Sequence, residues 1–297
     1  MNIYDEISSN KRKSVFLIIL FFIIIGLIGY AFGIYIGDIF VGLIFAIVIS
    51  TFLALIGFYA GDNAIITMSH AVPAEKKKYP HLVNTVEGLA IAAGVPSPKI
   101  YVIDDSAINA FATGRDPQHA SITVTAGAVE RLNRIELEGV VAHEMSHIKN
   151  FDIRFMMLVA VLVGIIAMLS DIFLRSIFYG RKRNSGSKGA GAAIIILIGI
   201  LLAVLAPIIA QLIKLAASRK REFLADSSGA LLARYPQGLA NALKKIRDDK
   251  EPLVEAANKA TAHLYIENPL RNFGGKLNSL FDTHPDINER IKKLEGM

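Results

Sequence analysis

Two apolar runs near the N-terminus constrain this chain more than any other feature. Residues 14–37 carry no charge, residues 39–61 carry none either, and only Asp38 separates them. Each exceeds the roughly 20 apolar residues that a membrane-spanning helix requires. The pattern predicts a helical hairpin closed by a very short turn. A cleaved leader peptide fits poorly, because the first run is too long and lacks a small-residue cleavage site before the second.

Two further runs follow. Residues 155–170 are uncharged, and the pattern extends past Asp171 to Leu174. Residues 189–213 are also uncharged and contain Pro207, which predicts a kink. The last run is long enough to span; the one before it is marginal. Lys11, Arg12 and Lys13 precede the first span, and Lys76, Lys77 and Lys78 follow the second. The bias of basic residues places both flanks in the cytoplasm and the Asp38 turn outside. Arg181, Lys182, Arg183 and Lys188 lie between the later runs, against that rule if the pair spans. A spanning pair and a re-entrant pair both remain open. Either way, the segments before and after the pair lie on one side.

The absence of cysteine excludes disulfides and thiolate metal ligands. The net charge of +6 sits mostly beside the apolar runs and in the C-terminal third, as suits anionic lipid headgroups. No basic stripe is interleaved with aromatic residues, so nucleic acid is not an expected partner. Between the apolar runs, the pattern predicts a helix near 81–94, a strand at 99–103, a loop over 104–116, a half-buried strand at 121–125, and helices at 126–132 and 135–150. The chain from 218 onward reads as mostly helical.

The second of those helices carries His143-Glu144-Met145-Ser146-His147, which fits H-E-x-x-H. Histidines four apart share one helix face, about 6 Å apart along the axis, and can reach one zinc ion. Glu144 adjoins the first ligand and is the expected general base. Leu137, Val140, Val141 and Ile148 give the helix an apolar face. A catalytic zinc needs a third protein ligand. Asn150 and Ile153 stand where H-E-x-x-H-x-x-G-x-x-H requires Gly and His, which excludes that class. Glu222 and Asp226, four apart on a later helix, are candidates for ligand and for histidine-orienting carboxylate. Spacing alone leaves Glu222 open between a ligand and a residue on a solvated face beside Arg219, Lys220 and Arg221. His70, His81, His119 and His263 match no motif.

These residues resemble the M48 family of membrane metallopeptidases, and its HtpX-type branch in particular. The resemblance covers nearly the whole chain. It rests on the N-terminal hairpin, Asn109-Ala110-Phe111-Ala112, His143 to Asn150, the second apolar pair, Arg221 to Asp226, and Thr283-His284-Pro285. It implies a mainly α, multi-pass helical membrane protein with a zincin-like (gluzincin) α+β metalloprotease domain. It implies that Glu222 is the third zinc ligand, with Asp226 supporting the site. It further implies that His284 stabilises the oxyanion and that Asn109 lies beside the substrate cleft, near the strand at 121–125, where an edge strand binds extended peptide. The expected organisation is a transmembrane hairpin (1–61), the first part of the catalytic domain (62–154), a second apolar pair (155–215) and the rest of the catalytic domain (216–297).

The activity so implied is that of a one-zinc endopeptidase of the plasma (inner) membrane, facing the cytoplasm. Its expected partners are membrane lipid and protein substrates, chiefly membrane or misfolded proteins met in quality control under stress. Two other readings compete. A CAAX-type prenyl-protein protease shares the zinc arrangement but calls for a larger chain with more spans. A non-catalytic metal-binding or chaperone-like membrane module would have no need of Glu144.

Overall fold

The structure is a computed structural model that describes residues 3–162, 164–165, 219–249, 251, 264–267 and 285–297. The apolar run at 189–213, the end of the run before it, and His284 lie outside the described residues.

Helix α1 (Ile3–Ile36) and helix α2 (Ile39–Met68) form the expected hairpin. Gly37 ends α1 with φ of 86°, a left-handed conformation that glycine adopts without steric cost. Asp38 then caps α2, its carboxylate accepting from the backbone N–H of Phe40 and Val41 at 3.0 and 3.1 Å. The only charge in the turn is therefore the residue that satisfies the exposed helix N-terminus. Both helices are long and apolar enough to cross a bilayer, with mean hydropathy of 3.0 over Arg12–Ile34 and 2.9 in α2. In α2, Phe40, Val41, Ile44, Val48, Phe52 and Tyr59 point outward and are exposed, which water disfavours and hydrocarbon does not. Toward the end of α2, Asp62, Ile65 and Ile66 become buried.

A four-stranded sheet follows, in the order β1-β2-β4-β3. Strand β1 (Val72–Pro73) pairs antiparallel with β2 (Lys99–Ile103), β2 pairs parallel with β4 (Ala120–Thr125), and β3 (Ala110–Gly114) pairs antiparallel with β4. Helix α3 (Pro80–Ala93) ends at left-handed Gly94, as the sequence predicts. Two sequence expectations change here. The stretch expected to be a loop over 104–116 contains β3, whose five residues are all buried. The strand at 121–125 is neither half-buried nor an edge: every residue of β4 is buried, and β3 is the edge. The alternation of Ser121, Thr123 and Thr125 misleads because α5 and the end of α2 both contact β3 and β4.

Helices α4 (Ala126–Arg131) and α5 (Arg134–Lys149) follow directly. A capping box starts α5: Asn133 Oδ1 accepts from the Glu136 N–H at 2.9 Å, and Glu136 Oε2 accepts from the Asn133 N–H at 2.8 Å. Glu136 also meets Lys245 at 2.7 Å. The helix is buried nearly all round from Leu137 to Ile148, more than one apolar face would give. It packs against α3, against α7 (Arg219–Ala233) and against α8 (Pro236–Asp248), while α6 over 152–162 leads away from its end. Helix α9 (Ile287–Glu295) closes on α7 and α8. Ile65 of α2 belongs to the same apolar core as Val140, Val141 and Ile148 of α5.

Replacing Asn133 with Ala removes the cap from a buried helix. Stability should fall by about 1 kcal/mol, read as a lower midpoint of thermal unfolding in detergent micelles.

Candidate metal centre and catalytic site

The local geometry of α5 brings His143 and His147 together. Their rings lie 4.8 Å apart at 88°, and their Nε2 atoms approach to 3.2 Å. His143 is 0% and His147 4% exposed. Helix α7 supplies the third group from far along the chain. One oxygen of Glu222 lies 3.7 Å from His143 Nε2, and the other lies 3.7 Å from His147 Nε2. The ligand atoms of the three residues all fall within 4.8 Å of one another.

Close packing makes this meeting feasible. Glu222, Asp226 and Gly229 sit at i, i+4 and i+7 on one face of α7. A Cβ on Gly229 would lie 2.9 Å from the His143 nitrogen and 3.0 Å from its Cα. Only a glycine lets α7 approach the backbone of α5 at the first histidine.

The far side of each imidazole faces a carboxylate. Asp226 Oδ1 lies 2.9 Å from His143 Nδ1, and Asp152 Oδ2 lies 3.0 Å from His147 Nδ1. A proton held at each Nδ1 leaves the Nε2 lone pairs pointing at each other, beside the Glu222 carboxylate. Three converging lone-pair donors in a buried space call for a cation between them. Two nitrogens and a carboxylate oxygen are the donor set that suits a divalent transition metal. The residues therefore fit a metal ion.

Asp152 was not evident from the sequence. It follows Phe151, whose φ of 59° is left-handed for a bulky residue. That turn brings the carboxylate back beneath the helix it has just left. The sequence signal is an acidic residue five positions after the second histidine. Arg290 of α9 was also missed. It is fully buried, and its Nε and Nη2 donate to the two oxygens of Asp226 at 2.9 and 2.7 Å. Its Nη1 lies 3.8 Å from Glu222. Nothing near Arg290 in the sequence marks it.

The charges shift as this packing demands. Burial disfavours a charged Asp226, but Arg290 and His143 outweigh it and hold the carboxyl down at about 2. Burial disfavours the His147 imidazolium, but the Asp152 hydrogen bond and the Glu222, Asp152 and Glu144 charges outweigh it and push the pKa up to about 9 in the ion-free chain. Glu144 is 1% exposed, and burial raises its pKa against the opposing pull of His143 and His147.

Asn109 is buried just before β3. Its Oδ1 accepts from the Ala110 N–H at 3.0 Å, and its Nδ2 donates to the Glu267 carbonyl at 3.2 Å. It precedes the edge strand β3 and also meets the end of β4, where the Thr125 N–H donates to its carbonyl at 3.0 Å. His284 lies outside the described residues.

The model of peptidase family M48 matches residues 76–297. A "Protease HtpX homolog" from Dictyoglomus turgidum is 44% identical over 296 residues, covering 99% of this chain and 94% of that protein. One from Caldanaerobacter subterraneus subsp. tengcongensis is 44% identical over 298 residues, covering 99% and 98%. One from Listeria monocytogenes serotype 4a is 42% identical over 305 residues, covering 99% and 100%. Among solved structures, S. mikatae Ste24p aligns with a TM-score of 0.50 at 21% identity, over 94% of this chain and 61% of that one, a likeness of fold. With its buried His-His-Glu group and two apolar helices, the chain belongs to peptidase family M48 and is a membrane-associated metalloprotease acting on protein substrates.

Proposed function

We propose that His143, His147 and Glu222 hold one zinc ion, that Glu144 is the general base for peptide-bond hydrolysis, and that the substrates are membrane or misfolded proteins met at the cytoplasmic face of the plasma membrane. The observation that carries this is the facing pair of Nε2 atoms, 3.2 Å apart, with a Glu222 oxygen 3.7 Å from each. Zinc, when bound, supplies Lewis acidity that polarises a carbonyl and brings the pKa of water from 15.7 to roughly 7.

The protein's own groups do the rest. Glu144 takes a proton from the attacking water and carries it to the leaving amine. A carboxylate whose pKa is raised by burial holds that proton better than an exposed one would. Asp226 and Asp152 keep both imidazoles in the tautomer that turns Nε2 inward. Arg290 fixes Asp226 from behind. His284 is assigned the donor to the developing oxyanion on resemblance alone.

The membrane setting rests on the hairpin and its charges. Basic triplets at 11–13 and 76–78 flank α1 and α2, which favours a cytoplasmic location for both flanks. The run at 155–174 begins just after His147, and Glu222 comes just after the run at 189–213, so the ligands meet close to the bilayer. A multi-pass chain with a hairpin at 1–61, catalytic parts at 62–154 and 216–297, and an apolar pair at 155–215 accommodates this.

Three outcomes follow. Glu144→Ala should leave one zinc per chain by elemental analysis, while cleavage of casein falls on the order of 10²- to 10⁴-fold; unchanged cleavage refutes the assigned base. Asp152→Asn should weaken metal affinity about 10- to 100-fold, measured by chelator competition. Metal uptake should also depend on pH. A His147 proton with its pKa pushed up to about 9 must leave before metal binds. Affinity should therefore rise about tenfold per pH unit from pH 7 and level off above about 9. In the ion-free chain the linkage to folding has the opposite sense: stability from protonated His147 is complete below 6.5 and is lost as pH rises through about 9.

A further inference from the structure

Residues 264–267 lie along the open edge of the sheet. The Thr125 N–H donates to the Asn109 carbonyl at 3.0 Å, so the backbone N–H and C=O groups of odd-numbered residues in β3 face β4 and those of even-numbered ones face outward. The outward carbonyl of Ala110 accepts from the Ile266 N–H at 2.9 Å, within an antiparallel bridge between Phe111 and Tyr265. Two side chains of the site complete the pairing. Arg290 Nη1 donates to the Ile266 carbonyl at 2.8 Å, and Asn109 Nδ2 donates to the Glu267 carbonyl at 3.2 Å.

The three bonds read only backbone atoms of a short segment joined to the edge by a single bridge at Tyr265. The Arg290 contact also ties that segment to the carboxylates that complete the metal group, since the same guanidinium holds Asp226 and approaches Glu222. An extended substrate laid across the edge beside the metal would meet the same acceptor and the same two donors.

We propose that residues 264–267 are an internal occupant of the substrate edge, so that a polypeptide gains access to the catalytic centre by displacing them. This rests on the catalytic reading above. The occupant also defines what replaces it. The Tyr265 ring packs edge-on to Phe111 with centroids 4.9 Å apart, and Tyr265 and Ile266 are each 1% exposed. A competing strand must refill that space with a bulky aromatic or aliphatic pair. Unfolded or membrane-derived segments carry such pairs openly, whereas folded soluble proteins bury them. Resting self-occupancy would thus keep the site closed to bystander proteins.

The test uses the absence of native cysteine. Ala110 and Ile266 stand opposite each other in an antiparallel pair, a separation that a disulfide spans. In full-length Ala110→Cys/Ile266→Cys protein in detergent, oxidation should lower kcat/KM for casein at least tenfold relative to the same sample reduced with a phosphine. Equal rates before and after reduction overturn the proposal, because a purely structural pairing would tolerate the lock. If the reduced variant is itself inactive, amide exchange in Glu144→Gln protein decides. Added casein should deprotect the Ile266 amide while Thr123 and Val124 stay protected, and unchanged protection of Ile266 overturns the proposal. Loss of cleavage by the wild-type chain would instead overturn the catalytic reading, and this proposal with it.

Discussion

Everything about the site follows from gathering two imidazoles and a carboxylate in one buried space. His143, His147 and Glu222 are each less than 5% exposed and face one another across less than 5 Å. Burial strengthens every charge interaction within that group. The surrounding structure sustains it. Asp152 and Asp226 tether the imidazoles from outside, Arg290 braces Asp226, and Gly229 permits the helix contact that delivers Glu222. The same low dielectric would strengthen the hold of these groups on a divalent ion.

The chain shows which parts of such a design can be read in one dimension. His143 and His147 were legible because their relation is local: four residues on one helix face is a statement about helix pitch. The Asp38 turn was legible for the same reason. Glu222 was only half legible, since its spacing to Asp226 marks a face but not what that face meets. Asp152 lies outside the helical repeat, and its role depends on one left-handed residue, Phe151, which no propensity rule favours. Arg290 acts on a residue 64 positions away. Strand β3 hid behind small residues, because Ala110, Ala112 and Gly114 lack the branched and aromatic side chains that advertise a strand. Strand β4 hid its burial behind hydroxyls that alternate as solvent-facing residues do.

The two halves of the molecule share material at their junction. The sheet is met both by the motif helix and by α2, and the same helix that leaves Phe40 and Phe52 exposed buries Ile65 in the core shared with the motif helix. Membrane attachment and active-site packing are consequently not separable modules on this side of the protein. A substitution near the end of α2 acts on both.

The continuity of α2 has a mechanical consequence. It runs unbroken for 30 residues, about 45 Å at 1.5 Å per residue, against a hydrocarbon thickness of about 30 Å. Near its end, Ile65 is set into the apolar core that also holds Val140 and Ile148. One uninterrupted rod thus carries the exposed apolar surface at its start directly into the core that seats the motif helix.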